Sequence, residues 1–243
     1  HGWITAHDLY RAILEGLPYK VRALIAFGTN PLLSHGDADI GDAALRALEF
    51  HVHCDLFLTP SARHADIFLP VNTPWEREGL RVGFEISDAA AALVQLRQRF
   101  VSPRGEARSD NDIVFDLACR LGMREAFFEG SLEAGWDYIL SPAGLSVEQL
   151  RDEPAGIACE IDCREQKYAS DHHDGSGRLR GFDTETRRIE LYSALLHRHG
   201  QPAVPTYIPC VELPSDQLQR FPLTLSTAKN GFYCHSQHRS LVS

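Results

Sequence analysis

Two short loops combine residue types suited to an anionic ligand. The first, Gly28-Thr-Asn-Pro31, ends an apolar run; the second is Cys54-Asp55, with Thr59 just beyond. Glycine lets a backbone approach a ligand closely. A carboxylate 27 residues later (55 − 28 = 27) stands near where a nucleotide fold places the acid that holds a ribose hydroxyl. The alternative is structural, with Gly28 making a turn and Asp55 capping a segment. No G-x-G-x-x-G fingerprint is present, which disfavours a nicotinamide dehydrogenase. Near the other end, Lys229-Asn-Gly231 and His235-Ser-Gln-His-Arg239 crowd cationic and polar donors together, as phosphate or a polar ring system requires.

The remaining chemistry-bearing residues point to less. His51 and His53 share a strand face without a third ligand, His172-His173 lies in a polar loop, and His197 and His199 end a helix-like stretch. Hydrogen-bonded or solvated imidazoles account for all of them. The 6 cysteines are residues 54, 119, 159, 163, 210 and 234; none forms a C-x-x-C pair. They read as isolated reduced thiols, with no metal site in this chain.

The elements that must position these residues follow from periodicity. Thr5 suits an N-cap ahead of Leu9, Ile13 and Leu17, with Gly16 and Pro18 as the stop. Val21–Phe27 reads as a buried strand, Asp39–Glu49 as a helix, Phe50–Leu58 as a second strand and Ala65–Leu69 as a third, closed by Pro70. This alternation is that of a doubly wound parallel sheet, an α/β fold whose ligands bind outside the carboxyl ends of the strands. Trp75–Gly79 is a charged loop, Leu93–Val101 a candidate strand, and Ser109 the cap of a helix ended by Gly122. Short helices are expected over 131–140 and 146–151, and a strand over Arg188–Tyr192. Prolines 202, 205, 209, 214 and 222 mark a connector, after which Pro222–Ser226 starts a strand of a new domain.

The 243 residues carry 24 Lys+Arg against 33 Asp+Glu, a net charge of −9. That excludes a general nucleic-acid binder, and no apolar run reaches the roughly 18 residues of a membrane helix. The chain begins at His1 without a basic and apolar leader, and reads as an excised piece of a longer, cytoplasmic protein, or a periplasmic one should a signal precede it.

At this point the order of motifs resembles the molybdopterin oxidoreductases of the dimethyl-sulfoxide-reductase type, which include formate dehydrogenases and nitrate reductases. The strand and loop Ala23–Pro31 is similar to the family's "G-x-N-P". Asp55-Leu-Phe-Leu-Thr59 with Ala65–Pro70 resembles "D-x-F-x-T-x-x-A-x-x-A-D-x-x-L-P", and Trp75–Gly79 resembles "W-E-x-x-G". Gly105–Asp110 resembles "G-E-A-R-S-D". Gly181–Thr184 with Ile189–Ser193, and Leu225–Lys229 with Cys234–Arg239, resemble the segments around the start of the last domain. One departure is Thr184-Glu-Thr-Arg-Arg188, where the family reads "T-P-S-G-K".

The resemblance implies a molybdenum bis(molybdopterin guanine dinucleotide) cofactor and two-electron redox of a small substrate of the formate, nitrate or sulfur-oxyanion class, with a slight leaning to formate. By position, Gly28, Asn30, Asp55, Thr59, Arg77, Asp110, Thr227, Ala228, Lys229, His235 and Ser236 would bind the cofactor. No catalytic or metal-ligating residue is assigned. A 4Fe–4S iron–sulfur cluster and the protein ligand to the metal would lie upstream, so this chain alone is expected to be inactive. Electron-transfer subunits are the implied partners. The implied plan is a Rossmann-like α/β domain over 1–125, a connecting region over 126–219, and over 220–243 the first strand of a C-terminal double-psi β-barrel. The competing reading is a non-catalytic electron-transfer or scaffold subunit of the same fold, resembling the large iron–sulfur subunit of respiratory NADH dehydrogenase.

Overall fold

The computed structural model describes residues 4–83, 87–161, 173, 175–178, 181–182, 184–207, 215–223, 225–226 and 228. Thr5 caps α1 (Ala6–Leu14), its hydroxyl accepting from the Asp8 N–H at 3.2 Å. The apolar side of α1 meets α3 (Ala38–Ala47) through Tyr10, Ile13 and Ala44, with Val21 and Leu48 packed beside them. Between these helices the chain forms β1 (Ala23–Phe27) and the short α2 (Pro31–Ser34), which opens at Pro31 with its ring at the first helical position. The sequence reading treats that stretch only as a turn.

β1, β2 (Phe50–Asp55) and β3 (Ile67–Pro70) form a parallel sheet in that order, with Phe27 opposite Cys54 and Cys54 opposite Leu69. The expected strand over Phe50–Leu58 stops at Asp55, and β3 takes in Pro70 as its last residue. Period 2 then sorts the faces. Ile25, Val52 and Ile67 lie in register on one face and Ala26, His53 and Phe68 on the other. α5 (Asp110–Arg120) covers the first face at Val52 and Cys54 through Ile113. Ser109 caps α5 by accepting from the Asp112 N–H at 3.0 Å. Gly122 ends it in the left-handed region (φ +86°), with Gly122 and Met123 N–H groups bonded to the Cys119 and Ala118 carbonyls.

The segment after β3 builds a second, antiparallel sheet from β4 (Gly79–Arg81), β5 (Leu93–Arg97) and β6 (Ile157–Ala158), with α4 (Asp88–Ala92) leading into β5. Sequence periodicity anticipates β5 but neither of its partners, which are three and two residues long. α6 (Leu132–Leu140) and α7 (Val147–Asp152) pack on β5 and close a core of Val94, Leu96, Trp136, Leu140, Val147 and Leu150. Residues up to Ile161 therefore form one compact unit, and the expected boundary at residue 125 falls inside it, because these helices bury their apolar sides against β5.

Described residues from 173 to 228 belong to a second unit, containing α8 (Ala194–Arg198) and α9 (Ser215–Arg220). The strand expected over Arg188–Tyr192 is absent. Thr184 donates its hydroxyl to the Arg188 carbonyl, and Thr186 bonds the Glu190 carboxylate, so local bonds replace a ladder. Arg187 adopts a left-handed φ of +58°, at the position where the resembled pattern has glycine. The described residues of Pro222–Ser226 carry no strand either.

Candidate functional site

Gly28 follows β1 directly, at φ +53°, and nothing lies within 4 Å of where a Cβ would stand. Its N–H donates to the Cys54 carbonyl at 2.8 Å, which ties the first loop to the end of β2. Asp55 is therefore the residue beside Gly28 on the neighbouring strand. Asp55 in turn stands opposite Pro70, its carbonyl accepting from the Val71 N–H at 3.1 Å, and Val71 bridges in parallel to Arg108. Four chain segments thus deliver their carboxyl ends along one edge: Gly28, Asp55, Val71 and, through Arg108, Asp110. At about 4.8 Å per strand, that edge extends roughly 14 Å.

Asp55 has a side chain 13% exposed, with Oδ1 accepting from the Phe57 N–H at 3.2 Å and Oδ2 lying 3.6 Å from His53 Nε2. Just beyond it Leu56, Phe57 and Leu58 are exposed, Phe57 at 74%. Asn30 turns its side chain inward, where Oδ1 accepts from Ser61 Oγ at 2.7 Å, and Ser61 Oγ also accepts from the Leu32 N–H at 3.1 Å. Thr59 accepts from the Ala62 N–H at 3.2 Å, which ties it to the start of the short turn Ala62–His64. Asn30 and Thr59 therefore hold the loops in shape. Ser61 is fully buried and clamps the loops following β1 and β2 together. In the sequence Ser61 stands at an unspecified position of the quoted motif, so its role shows only once the fold buries it.

Arg77 and Asp110 pair with each other at 3.0 Å, both partly exposed. A cavity of about 530 Å³ opens beside Arg77, lined by Asn72, Glu76, Ser109, Asp112 and Trp136 among others. Asn72 is buried there, and its Oδ1 has no partner among the described residues. Within the charged loop, Glu76 accepts from Thr73 N–H and hydroxyl and from the Arg104 N–H, which holds its carboxyl below the usual range. Glu76 is thus a structural staple, while Glu78 pairs with Arg151 at 2.8 Å.

Beneath the Asp55 loop lie two histidines, His51 at 1% and His53 at 0% exposure. His53 Nδ1 is 3.3 Å from His51 Nε2. Burial pushes both imidazoles below their ordinary pKa. It also pushes the Cys54 thiol up to about 11, aided by the charge of Asp110, which places that carboxylate's field at the end of β2. Among the described residues no group of three or more His, Cys, Asp or Glu is arranged to hold a metal ion. No described helix is long and apolar enough to cross a membrane. Ala228 is exposed; Thr227, Lys229, His235 and Ser236 lie outside the described residues.

Comparison with known proteins adds a family. Residues 11–120 match the model for molybdopterin oxidoreductase. A dimethyl sulfoxide/trimethylamine N-oxide reductase from Rhodobacter capsulatus is 30% identical over 234 residues, covering 88% of this chain and 27% of its own length. The assimilatory nitrate reductase catalytic subunit of Bacillus subtilis (strain 168) is 31% identical over 219 residues, covering 87% of this chain and 28% of its own. The solved structure of acetylene hydratase from Pelobacter acetylenicus superposes with a TM-score of 0.72 at 24% identity, over 89% of this chain and 28% of that one. The chain thus spans just over a quarter of the length of these relatives.

Proposed function

The chain belongs to the molybdopterin oxidoreductase family, and from that premise we propose that it holds guanine dinucleotide ends of a molybdenum bis(molybdopterin guanine dinucleotide) cofactor. The observation that carries this reading is the pairing of Gly28 and Asp55 on adjacent strand ends, joined through the Gly28–Cys54 hydrogen bond. Gly28 leaves open space beside the backbone, where a phosphate or sugar can approach. Among the described residues the Asp55 carboxylate accepts one hydrogen bond shorter than 3.5 Å, so lone pairs remain for the two donors on the edge of a guanine ring. Bonds of that kind are charge-assisted and about twice as strong as neutral ones. The exposed Leu56, Phe57 and Leu58 supply an apolar shelf for a planar base.

In this reading Arg77 and Asp110 make further contacts at the same sheet edge. Their ion pair is partly exposed, so a phosphate that competes for the guanidinium can open it. Asn30 and Thr59 act by shaping the loops. Thr227, Ala228, Lys229, His235 and Ser236 enter this reading as further cofactor contacts on the family resemblance alone. Within residues 1–125 the parallel sheet is the nucleotide-binding part, and the antiparallel sheet with the helices that follow is its brace.

The cofactor, when bound, supplies the electron transfer; the protein binds, orients and shields it. The substrate class is a small oxidised molecule such as an S-oxide, an N-oxide or nitrate, by analogy with the reductases matched, rather than formate. An iron–sulfur cluster and an electron-donating partner belong to the same reading, supplied from outside these residues.

The test is Asp55→Ala in the enzyme. Molybdenum and guanine are measured per purified subunit, with circular dichroism as the control for folding. Loss of a charged hydrogen bond to a buried ligand costs on the order of 1.5–3 kcal/mol, so retention should fall at least tenfold. Unchanged guanine content in a folded variant would remove Asp55 from the site.

A further inference from the structure

The buried histidine pair has no role in the reading above, and its proton arrangement can be deduced. His53 is wholly enclosed directly under the loop that carries Asp55. Among the described residues its Nε2 has no hydrogen-bond partner within normal reach; it lies 3.6 Å from Asp55 Oδ2, with the Thr29 carbonyl also facing the ring. Its Nδ1 meets His51 Nε2 at 3.3 Å, and the far nitrogen of His51, Nδ1, has no hydrogen-bond partner among the described residues. The His64 carbonyl, the Asp66 carboxylate and the His64 ring are the polar groups that face His51.

Two neutral imidazoles carry two N–H groups, and one must fill the contact between them. If His53 Nδ1 donates, His53 Nε2 turns a lone pair toward the Asp55 carboxylate, an acceptor facing an anion. If His51 Nε2 donates instead, His53 carries its proton on Nε2 and aims it at Asp55 Oδ2. The lone pair left over then sits on His51 Nδ1, on a ring that the His64 carbonyl faces; the nearby Asp66 carboxylate makes no ion-pair contact with that ring among the described residues, whereas Asp55 Oδ2 stands 3.6 Å from His53 Nε2. Unsatisfied acceptors are better tolerated than lone pairs held against a charge, and a donor aimed at a carboxylate is the stronger kind.

We infer that His53 is a positioning residue for Asp55, donating from Nε2 to Oδ2, and that His51 sets its tautomer by donating from Nε2 to His53 Nδ1. Asp55 would then be held at both oxygens, by the Phe57 N–H on Oδ1 and by His53 on Oδ2, fixing the plane in which its remaining lone pairs meet a ligand. The 3.6 Å gap closes by a small rotation of the carboxylate. A preorganised acceptor loses less on binding than a mobile one. The role of the pair in binding rests on the guanine reading; its tautomers do not.

Long-range proton–nitrogen NMR correlation on histidine-labelled protein reads the tautomers directly, without any substitution. Both His51 and His53 should carry hydrogen on Nε2, and Asp55→Asn should move the His53 Nε2–H resonance more than that of His51. Hydrogen on His53 Nδ1 would overturn the inference. Guanine content per subunit provides the second readout. His53→Leu should lower it several-fold, and His53→Gln, whose amide nitrogen reaches the Nε2 position, should restore most of it. Full retention in a folded His53→Leu, with loss in Asp55→Ala, would also overturn the inference. Should Asp55→Ala itself lose no guanine, the nucleotide reading fails, while the NMR result still decides whether His53 holds Asp55.

Discussion

In the parallel sheet, two of the most deeply buried side chains are His51 and His53; in the antiparallel sheet the buried strand residues are Val94 and Leu96. The first sheet ends in loops held by side-chain hydrogen bonds, through Ser61, Asn30 and Thr59. The second is closed by Trp136, Leu140, Val147 and Leu150 from two helices. Polar burial under the parallel sheet costs stability unless each group finds a partner, whereas apolar burial on the antiparallel sheet contributes stability outright. A fold that spends polar burial at one place needs a firm apolar brace nearby, and β4–β6 with α6 and α7 supply it within the same compact unit.

The contrast makes the brace the place where a single truncation does most harm. Leu150→Ala, at a fully buried position, should destabilise the protein by about 2–5 kcal/mol. Its chemical unfolding midpoint should fall sharply, while the fraction that remains folded keeps its guanine content. A parallel loss of guanine from the folded fraction would show that the brace shapes the site directly.

Ser61→Ala, on the other side of the comparison, should cost about 1–3 kcal/mol. It leaves the Leu32 N–H and Asn30 Oδ1 without their shared partner. Because both groups hang from the strand-end loops, hydrogen exchange at residues 29–34 should quicken more than at 93–97. Equal change in both would break the proposed division.

The buried imidazoles add a pH dependence confined to the parallel sheet. Their folded-state pKa lies below the unfolded value of about 6.5, so the unfolded chain binds protons first as pH falls. Stability from this source is complete above pH 6.5 and is lost progressively below it, by at most about 1.4 kcal/mol per pH unit for each imidazole. Denaturant midpoints from pH 7.5 to 5.5 measure the slope. The double variant His51→Val with His53→Val should flatten it.

The smallest effect is expected at the edge of the brace. Arg151 pairs with Glu78 at 2.8 Å and Glu133 at 2.7 Å but is about a third exposed. Arg151→Ala should cost no more than about 1 kcal/mol, and less in high salt, read as a small drop in thermal midpoint.

Local pattern was enough for the elements with strong periodicity. Thr5, Ser109 and Gly122 act as the caps their residue types announce, and β1 to β3 lie close to where apolar runs place them. The motifs around Gly28 and Asp55 were legible as a family resemblance, because glycine and a lone acid at strand ends are conspicuous against apolar neighbours. Strands of two or three residues such as β6 and β4 have no period to detect; they exist because β5 offers an edge to pair with. Arg188–Tyr192 looked like a strand by composition and is instead held by its own turn.

By itself, then, the sequence determined the α/β alternation, the strand-end loops and the identity of the acid at residue 55. Only the tertiary structure decided which of those polar residues are occupied. Asn30 is committed to Ser61, Glu76 to Thr73 and Arg104, and Arg77 to Asp110. It also set His53 beneath Asp55, although the two lie only two residues apart in the chain. Successive side chains of a strand point to opposite faces, so residues 53 and 55 share one face, but whether that face is solvent or a sealed interior depends on what packs over it. That is a property of distant segments meeting, and no local pattern encodes it.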